Sequence, residues 1–216
     1  MICKRLISVI LLRDGRAVKS IRFGAYRDVG NPVSQCRIAY ANGIDEIVVL
    51  NTQPELGIDP LVDVLPKIAT VCFVPVAAGG GIRAVDDVAR LFAAGCEKVV
   101  IRSALHLIPE ITKRWGCQSV IECRDYGSQF SSDPTKAGEL MLQCRDRDGT
   151  MQGYDCTPIQ TDVPVIRLGG CGNYQHLLEG FNTGAEACAT GSLFTLTDSN
   201  PRRAKAFLRN HGVLCR

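Results

Sequence analysis

The sequence predicts an α/β chain closed into one (βα)8 barrel of the phosphate-binding type. Three observations predict it: eight short apolar runs, helix-period segments between them, and an internal repeat with a glycine turn in each copy. The runs fall at 6–12, 46–50, 72–77, 98–101, 119–123, 139–144, 164–168 and 186–190. Most are continuously apolar rather than alternating, as strands buried on both faces are. Val85 to Ala94 has helical period and stops at Gly95, and Tyr174 to Phe181 does the same near Gly184, glycine being the usual left-handed residue just past a helix end. Strand and helix in alternation imply a parallel sheet. No Pro/Ser-rich linker or break in composition divides residues 1–216, so a single domain is expected. The chain is somewhat shorter than the roughly 250 residues usual for eight βα units.

The totals exclude several classes. With 46% hydrophobic and 22% charged residues the composition is globular, neither disordered nor membrane-spanning. The formal charge of +3 is spread without a Lys/Arg block, and a nucleic-acid partner needs a focused basic face. Lys4-Arg5 followed by Leu6 to Leu12 resembles a signal peptide only superficially. The run is short, no small-residue cleavage site follows, and Arg13-Asp14-Gly15 closes it as a turn. The cysteines number eleven, an odd count without a C-x-x-C pair, and none of the three histidines lies near another. They read as small apolar residues of a reduced, cytoplasmic protein, and no metal or cofactor is expected.

The repeat points to the site. An offset of 89 positions carries Val74-Pro75-Val76 onto Val163-Pro164-Val165 and Gly80-Gly81 onto Gly169-Gly170. It also carries Phe92, Gly95, Glu97 and Ser103 onto Phe181, Gly184, Glu186 and Ser192. Each copy is a strand, a glycine turn, a helix, a second strand and a small hydroxyl residue. Glycines after a strand let the backbone approach an anion and present N–H groups to it, and the serine adds a hydroxyl. A single glycine turn is only a tight βα connection. Two in register, each with its serine, predict two phosphate sites in the loops at the C-terminal face of the strands. A small molecule phosphorylated at both ends fits them.

Several motifs together resemble the cyclase subunit of imidazole glycerol phosphate synthase. They are Arg13-Asp14-Gly15-Arg16-Ala17-Val18-Lys19, Gly43-Ile44-Asp45-Glu46, Gly79-Gly80-Gly81-Ile82-Arg83, Gly95-Cys96-Glu97-Lys98-Val99 and Gly169-Gly170-Cys171-Gly172. The most specific is Asp146-Arg147-Asp148-Gly149-Thr150 with Gly153-Tyr154-Asp155. The resemblance runs from Lys4 to about Val213. It implies one phosphate at Gly81 and Ser103, and the other at Asp148, Gly149, Gly170, Gly191 and Ser192. It also implies a ring of charges, Arg5, Glu46, Lys98 and Glu139, gating ammonia at the N-terminal face, where a glutaminase partner would dock.

The chain departs from that pattern where proton transfer would occur. The family works by two aspartates on opposite strands; Leu11 stands at the first position, and the resemblance places Glu122 at the second. Asn51 stands where the family has an acid, and Arg102 replaces an asparagine beside the first phosphate. The fifth crossover, Cys123 to Gly138, is turn-rich from Asp125 to Pro134, so its helix is expected to be missing or reduced. The expected result is a thin flank with apolar strand surface left to cover. Leucine in this part of the first strand also resembles cyclase-like paralogs that serve glutamine-dependent amidation of surface sugars. Three functions follow: an ammonia-receiving barrel impaired in cyclase chemistry, a working histidine-biosynthesis cyclase, and a catalytically silent phosphate-binding scaffold.

Overall fold

The computed structural model describes residues 3–127, 136–158 and 161–216. The chain enters through β1 (Arg5–Arg13) and turns at Asp14-Gly15, both with positive φ (48° and 70°), into a hairpin of β2 (Arg16–Ser20) and β3 (Tyr26–Gly30). An Asp-Gly pair in that conformation is the turn that matches strand twist, yet a hairpin here was not among the sequence expectations. There follow α1 (Pro32–Ala41), β4 (Glu46–Asn51), α2 (Asp59–Ala69), β5 (Val76–Gly79), α3 (Val85–Ala93), β6 (Lys98–Ile101), α4 (Ile108–Trp115) and β7 (Val120–Asp125). The second half contains β8 (Glu139–Gln143), β9 (Val165–Leu168), α5 (Tyr174–Asn182), β10 (Ala187–Thr190), α6 (Ser192–Leu196) and α7 (Pro201–Asn210).

β1 pairs in parallel with β4 on one side and β10 on the other, and β4 to β10 pair successively in parallel, which closes an eight-stranded barrel. The antiparallel hairpin extends from β1 alone. Strand alternation sorts the residues into two cores. Ile7, Val9 and Leu11 of β1, Val48 of β4, Ile121 and Cys123 of β7 and Met141 of β8 point inward and pack together. Leu6, Ile10, Ile47, Val49 and Val120 point outward and pack under the helices. In α2 the face Leu61, Val64, Leu65 and Ile68 is buried, each such side chain contributing about 1.5–3 kcal/mol. Burial pushes the thiols of Cys36, Cys96, Cys123 and Cys171 up to about 12. They serve as packing groups.

The strand expected at 72–77 begins instead at Val76. Cys72 still closes the turn of α2, its N–H donating to Ile68 O at 3.0 Å. Pro75 has no N–H to donate and offers only its carbonyl, which accepts from Ile47 N at 3.0 Å. No helix among the described residues is long and apolar enough to cross a membrane.

The fifth crossover carries no α-helix among its described residues; the turn-rich reading over 128–134 lies outside them. The sixth crossover, from β8 to β9, also lacks an α-helix among its described residues and has only a 3-10 turn, Arg145–Arg147. The strand surface so uncovered is nevertheless buried. Leu140, Leu142 and Val165 are 6%, 1% and 8% exposed and pack with Tyr126 and Val163. Arg167 holds the covering loops. It is 3% exposed, points outward from β9, and donates to Asp155 O, to Thr157 O at 3.3 Å and to Thr183 O at 3.5 Å. Arg147 adds a bond to Tyr154 O at 2.7 Å. Arg167→Met should therefore cost about 1–3 kcal/mol, because it removes the donor that ties three part-buried loop carbonyls to the strand. Urea unfolding is the measurement, and a change below about 0.5 kcal/mol, typical of an ordinary surface substitution, would refute the clamp.

Candidate active site

The C-terminal face of the barrel holds a two-lobed cleft. The first lobe, a cavity of about 560 Å³, is lined by Gly80 and Gly81 after β5, Arg102 and Ser103 after β6, and the Asn51–Pro54 turn. The second is lined by Lys19, Ser20, Asp148, Gly149, Gly169, Gly170, Gly191 and Ser192. Leu11, Phe23, Leu50 and Gln143 line both. All ten residues expected to hold phosphate thus gather on this face, in the two groups anticipated.

The internal repeat extends to the backbone. A Cβ on Gly81 (φ +90°) would lie 2.1 Å from Gly57 O, and one on Gly170 (φ +98°) 2.1 Å from Gly153 O. Gly80 and Gly169 meet Asn51 O and Cys144 O at 2.2 and 2.5 Å in the same way. Each glycine turn is therefore required by the loop of the preceding strand packed behind it, and no side chain fits there. Asn51 organises the first of these loops: its Nδ2 donates to Gln53 O and Gly57 O, both at 2.9 Å.

The hairpin brings Lys19 over the second lobe. Its Nζ donates to Val9 O at 2.7 Å and lies where a Cβ on Gly191 would come within 2.6 Å. Burial lowers the Lys19 ammonium to about 8, against the opposing pull of Asp148. Asp148 is raised by burial, with Ser20 and Lys19 opposing, and Ser20 Oγ donates to Asp148 Oδ2 at 3.3 Å. Asp148 is itself an anion, and Lys19 is the cation set against it in this lobe. Thr190 Oγ1, buried beside this lobe, has no hydrogen-bond partner among the described residues. Because Lys19 is a cation only below its pKa, a dianionic phosphate ester should bind the second lobe progressively more weakly as pH rises through about 8. Calorimetric titration between pH 7.5 and 9.5 tests this, and Lys19→Met should flatten the dependence.

Glu122 is not in the cleft. Ile121 and Cys123 point inward, so Glu122 points outward; it is 2% exposed and its carboxylate is bonded by Arg124 Nε. The inward carboxylate of β7 is Asp125, two residues beyond Cys123 at the C-terminal end of the strand. Arg102 Nη2 donates to its Oδ2 at 2.5 Å. Period-two alternation applied to Val120–Asp125 distinguishes these two acids, and the same alternation places Lys19 within reach only once β2 is known to be a strand.

At the opposite end of the barrel, four strands each contribute one inward-facing charge, and the charges form a closed ring. Arg5 bonds Glu46 at 2.5 Å and also Glu139; Lys98 bonds Glu139 at 2.7 Å and Glu46 at 3.4 Å. Each cation touches both acids. Burial disfavours the Arg5 charge, yet Glu139 and Glu46 outweigh it, and its pKa is raised above the ordinary value. Between ring and cleft the inward side chains Ile7, Val48, Ala77, Val100, Ile121 and Met141 are apolar.

Fold and site define a (βα)8 barrel with a two-lobed cleft at the C-terminal end of its axis and a largely buried charge ring at the other. The sequence pattern of the histidine biosynthesis protein family matches residues 5–128 and 112–199. Relatives named imidazole glycerol phosphate synthase subunit HisF occur in Campylobacter concisus, 33% identical over 97% of this chain and 96% of the relative, and in Exiguobacterium sibiricum, 32% identical over 99% of both. A third, from Wolinella succinogenes, is 33% identical over 98% of this chain and 97% of its own length. The chain belongs to the cyclase-subunit family of imidazole glycerol phosphate synthase.

Proposed function

We propose that this barrel receives ammonia from a glutaminase subunit docked at its N-terminal face, binds a ligand phosphorylated at both ends in its two lobes, and is impaired in ring closure. The closed ring of Arg5, Glu46, Lys98 and Glu139 carries this reading. Burying two carboxylates is costly unless each is paired; Glu46 and Glu139 are paired with the half-buried Arg5 and Lys98, over an apolar interior that a neutral ammonia molecule can cross and an ammonium ion cannot. Partner docking is supported by apolar side chains on the same face. Phe73, just before β5, is 74% exposed, and Leu214, beside the start of β1, is 54% exposed. Tyr40 stacks edge-on against Phe73 at 5.8 Å.

Impairment rests on Leu11. It lines both lobes where they meet, and a leucine neither gives nor takes a proton. A general acid or base is commonly worth about 10²–10⁴ in rate. A second reading, a working histidine-biosynthesis cyclase, rests on Asp125 in place of Glu122. It requires Asp125 to part from Arg102. The purified chain, given the family's phosphorylated ribulosyl substrate and excess ammonium salt, should bind the substrate with little turnover. Turnover within a few-fold of an ordinary cyclase would overturn the impaired reading in favour of the second.

A further inference from the structure

The first lobe contains an arrangement that neither phosphate binding nor the ring accounts for. Arg102 lines the cavity beside Gly80, Gly81 and Ser103, yet its Nη2 is bonded to Asp125 Oδ2 at 2.5 Å. The pair is partly exposed, 43% for the arginine side chain and 34% for the aspartate. Exposure lets the guanidinium move at modest cost, since such pairs contribute little. Arg102 lines the cavity and its guanidinium is bonded to Asp125, so it adjoins both that carboxylate and whatever occupies the lobe. A guanidinium presents several donors in a fixed fork and binds phosphate bidentately.

We propose that Arg102 is a positioning residue shared between two anions, Asp125 and a phosphate of the ligand. A phosphate seated at Gly81 and Ser103 draws the guanidinium toward itself and loosens its bond to Asp125. Arg102 then couples occupancy of the first lobe to the acid on β7. Asp125 and the phosphate compete for one cation, so each weakens the other's hold on it. This inference rests on the reading of the first lobe as a phosphate site.

The test uses the full chain and inorganic phosphate as probe, followed by the amide NMR signals of Gly81 and Ser103 for the first lobe and Gly170 for the second. Asp125→Asn frees Arg102 and should tighten phosphate at Gly81 and Ser103 by about two- to fivefold, the range an exposed ion pair of this kind is worth. Arg102→Gln should weaken it, and Arg102→Lys should recover part of the loss. A merely structural ion pair predicts that breaking it from either side weakens binding. The decisive comparison is Asp125→Asn made on the Arg102→Gln background, where the tightening should vanish. If it persists there in full, Asp125 acts by simple repulsion of the phosphate and the sharing is wrong; if Asp125→Asn weakens binding, it is equally wrong. Absence of any shift at Gly81 and Ser103 would remove the phosphate site and this inference with it, whereas binding without the Asp125 effect removes the inference alone. Gly170 should report the same affinity in every variant.

Discussion

Leu11→Asp is expected to raise turnover of the family's phosphorylated ribulosyl substrate, with excess ammonium salt, by about 10²-fold or more. The position is suited to the purpose. Leu11 points inward on β1, is 7% exposed, and borders both lobes, so a carboxylate there stands where the two lobes meet. Leucine and aspartate differ little in length, and the cavity beside the position is wide enough to hydrate the new charge. The substitution exchanges an apolar floor for a proton carrier without moving the glycine turns. Unchanged turnover with intact substrate binding would show that the acid missing from position 11 does not limit the reaction. Glu122→Gln, by contrast, should leave turnover unchanged, because that carboxylate faces away from the cleft toward Arg124.

Arg5→Met should destabilise the barrel by about 3–5 kcal/mol, because it leaves buried Glu46 and Glu139 with Lys98 as their only partner within the ring. The loss is large because those two acids are 5% and 7% exposed and cannot turn to water. Urea unfolding measures it. The functional counterpart is Lys98→Met in the Leu11→Asp background, assayed with the glutaminase subunit. Glutamine-dependent turnover should fall at least about tenfold relative to ammonium-driven turnover, equivalent to roughly 1.4 kcal/mol of lost coupling. Equal losses in both assays would make the ring a structural brace rather than a gate.

The ring, the glycine turns of the cleft and the barrel were legible for a shared physical reason. Buried parallel strands must be apolar along their length, and a glycine turn must follow a strand wherever another loop's backbone packs against it. Both requirements leave marks at fixed spacing, which is why Gly80-Gly81 and Gly169-Gly170 stand out in register. The four ring charges begin four different strands, so their type and place are visible one at a time. That each cation bonds both acids is visible only in three dimensions.

Glu122 shows where such reading stops. A strand's position in the sequence does not say which of its alternate residues face the axis until one neighbour is placed, and an error of one residue exchanges inside for outside. The structure places Ile121 and Cys123 inward, and with them Asp125 rather than Glu122. The β2–β3 hairpin and Lys19 escaped notice because a short, partly polar strand pair has little hydrophobic signal. The flank at the fifth and sixth crossovers, which have no α-helix among their described residues, was half visible. Turn residues announced the first gap, but the second carries ordinary loop composition. What closes that flank is Arg167, a cation in a strand otherwise apolar, and only its contacts across the fold explain its place.

By itself, then, the sequence determined what repeats locally: strand and helix period, glycine turns, and charge at strand starts. Each of these is dictated by neighbours within a few residues. The tertiary structure decided which acid points inward, which cation it holds, and what covers the outer face of β8 and β9. Those depend on residues brought together from distant strands, as Arg102 and Asp125 are, and chain order does not encode the rotation of one strand against another.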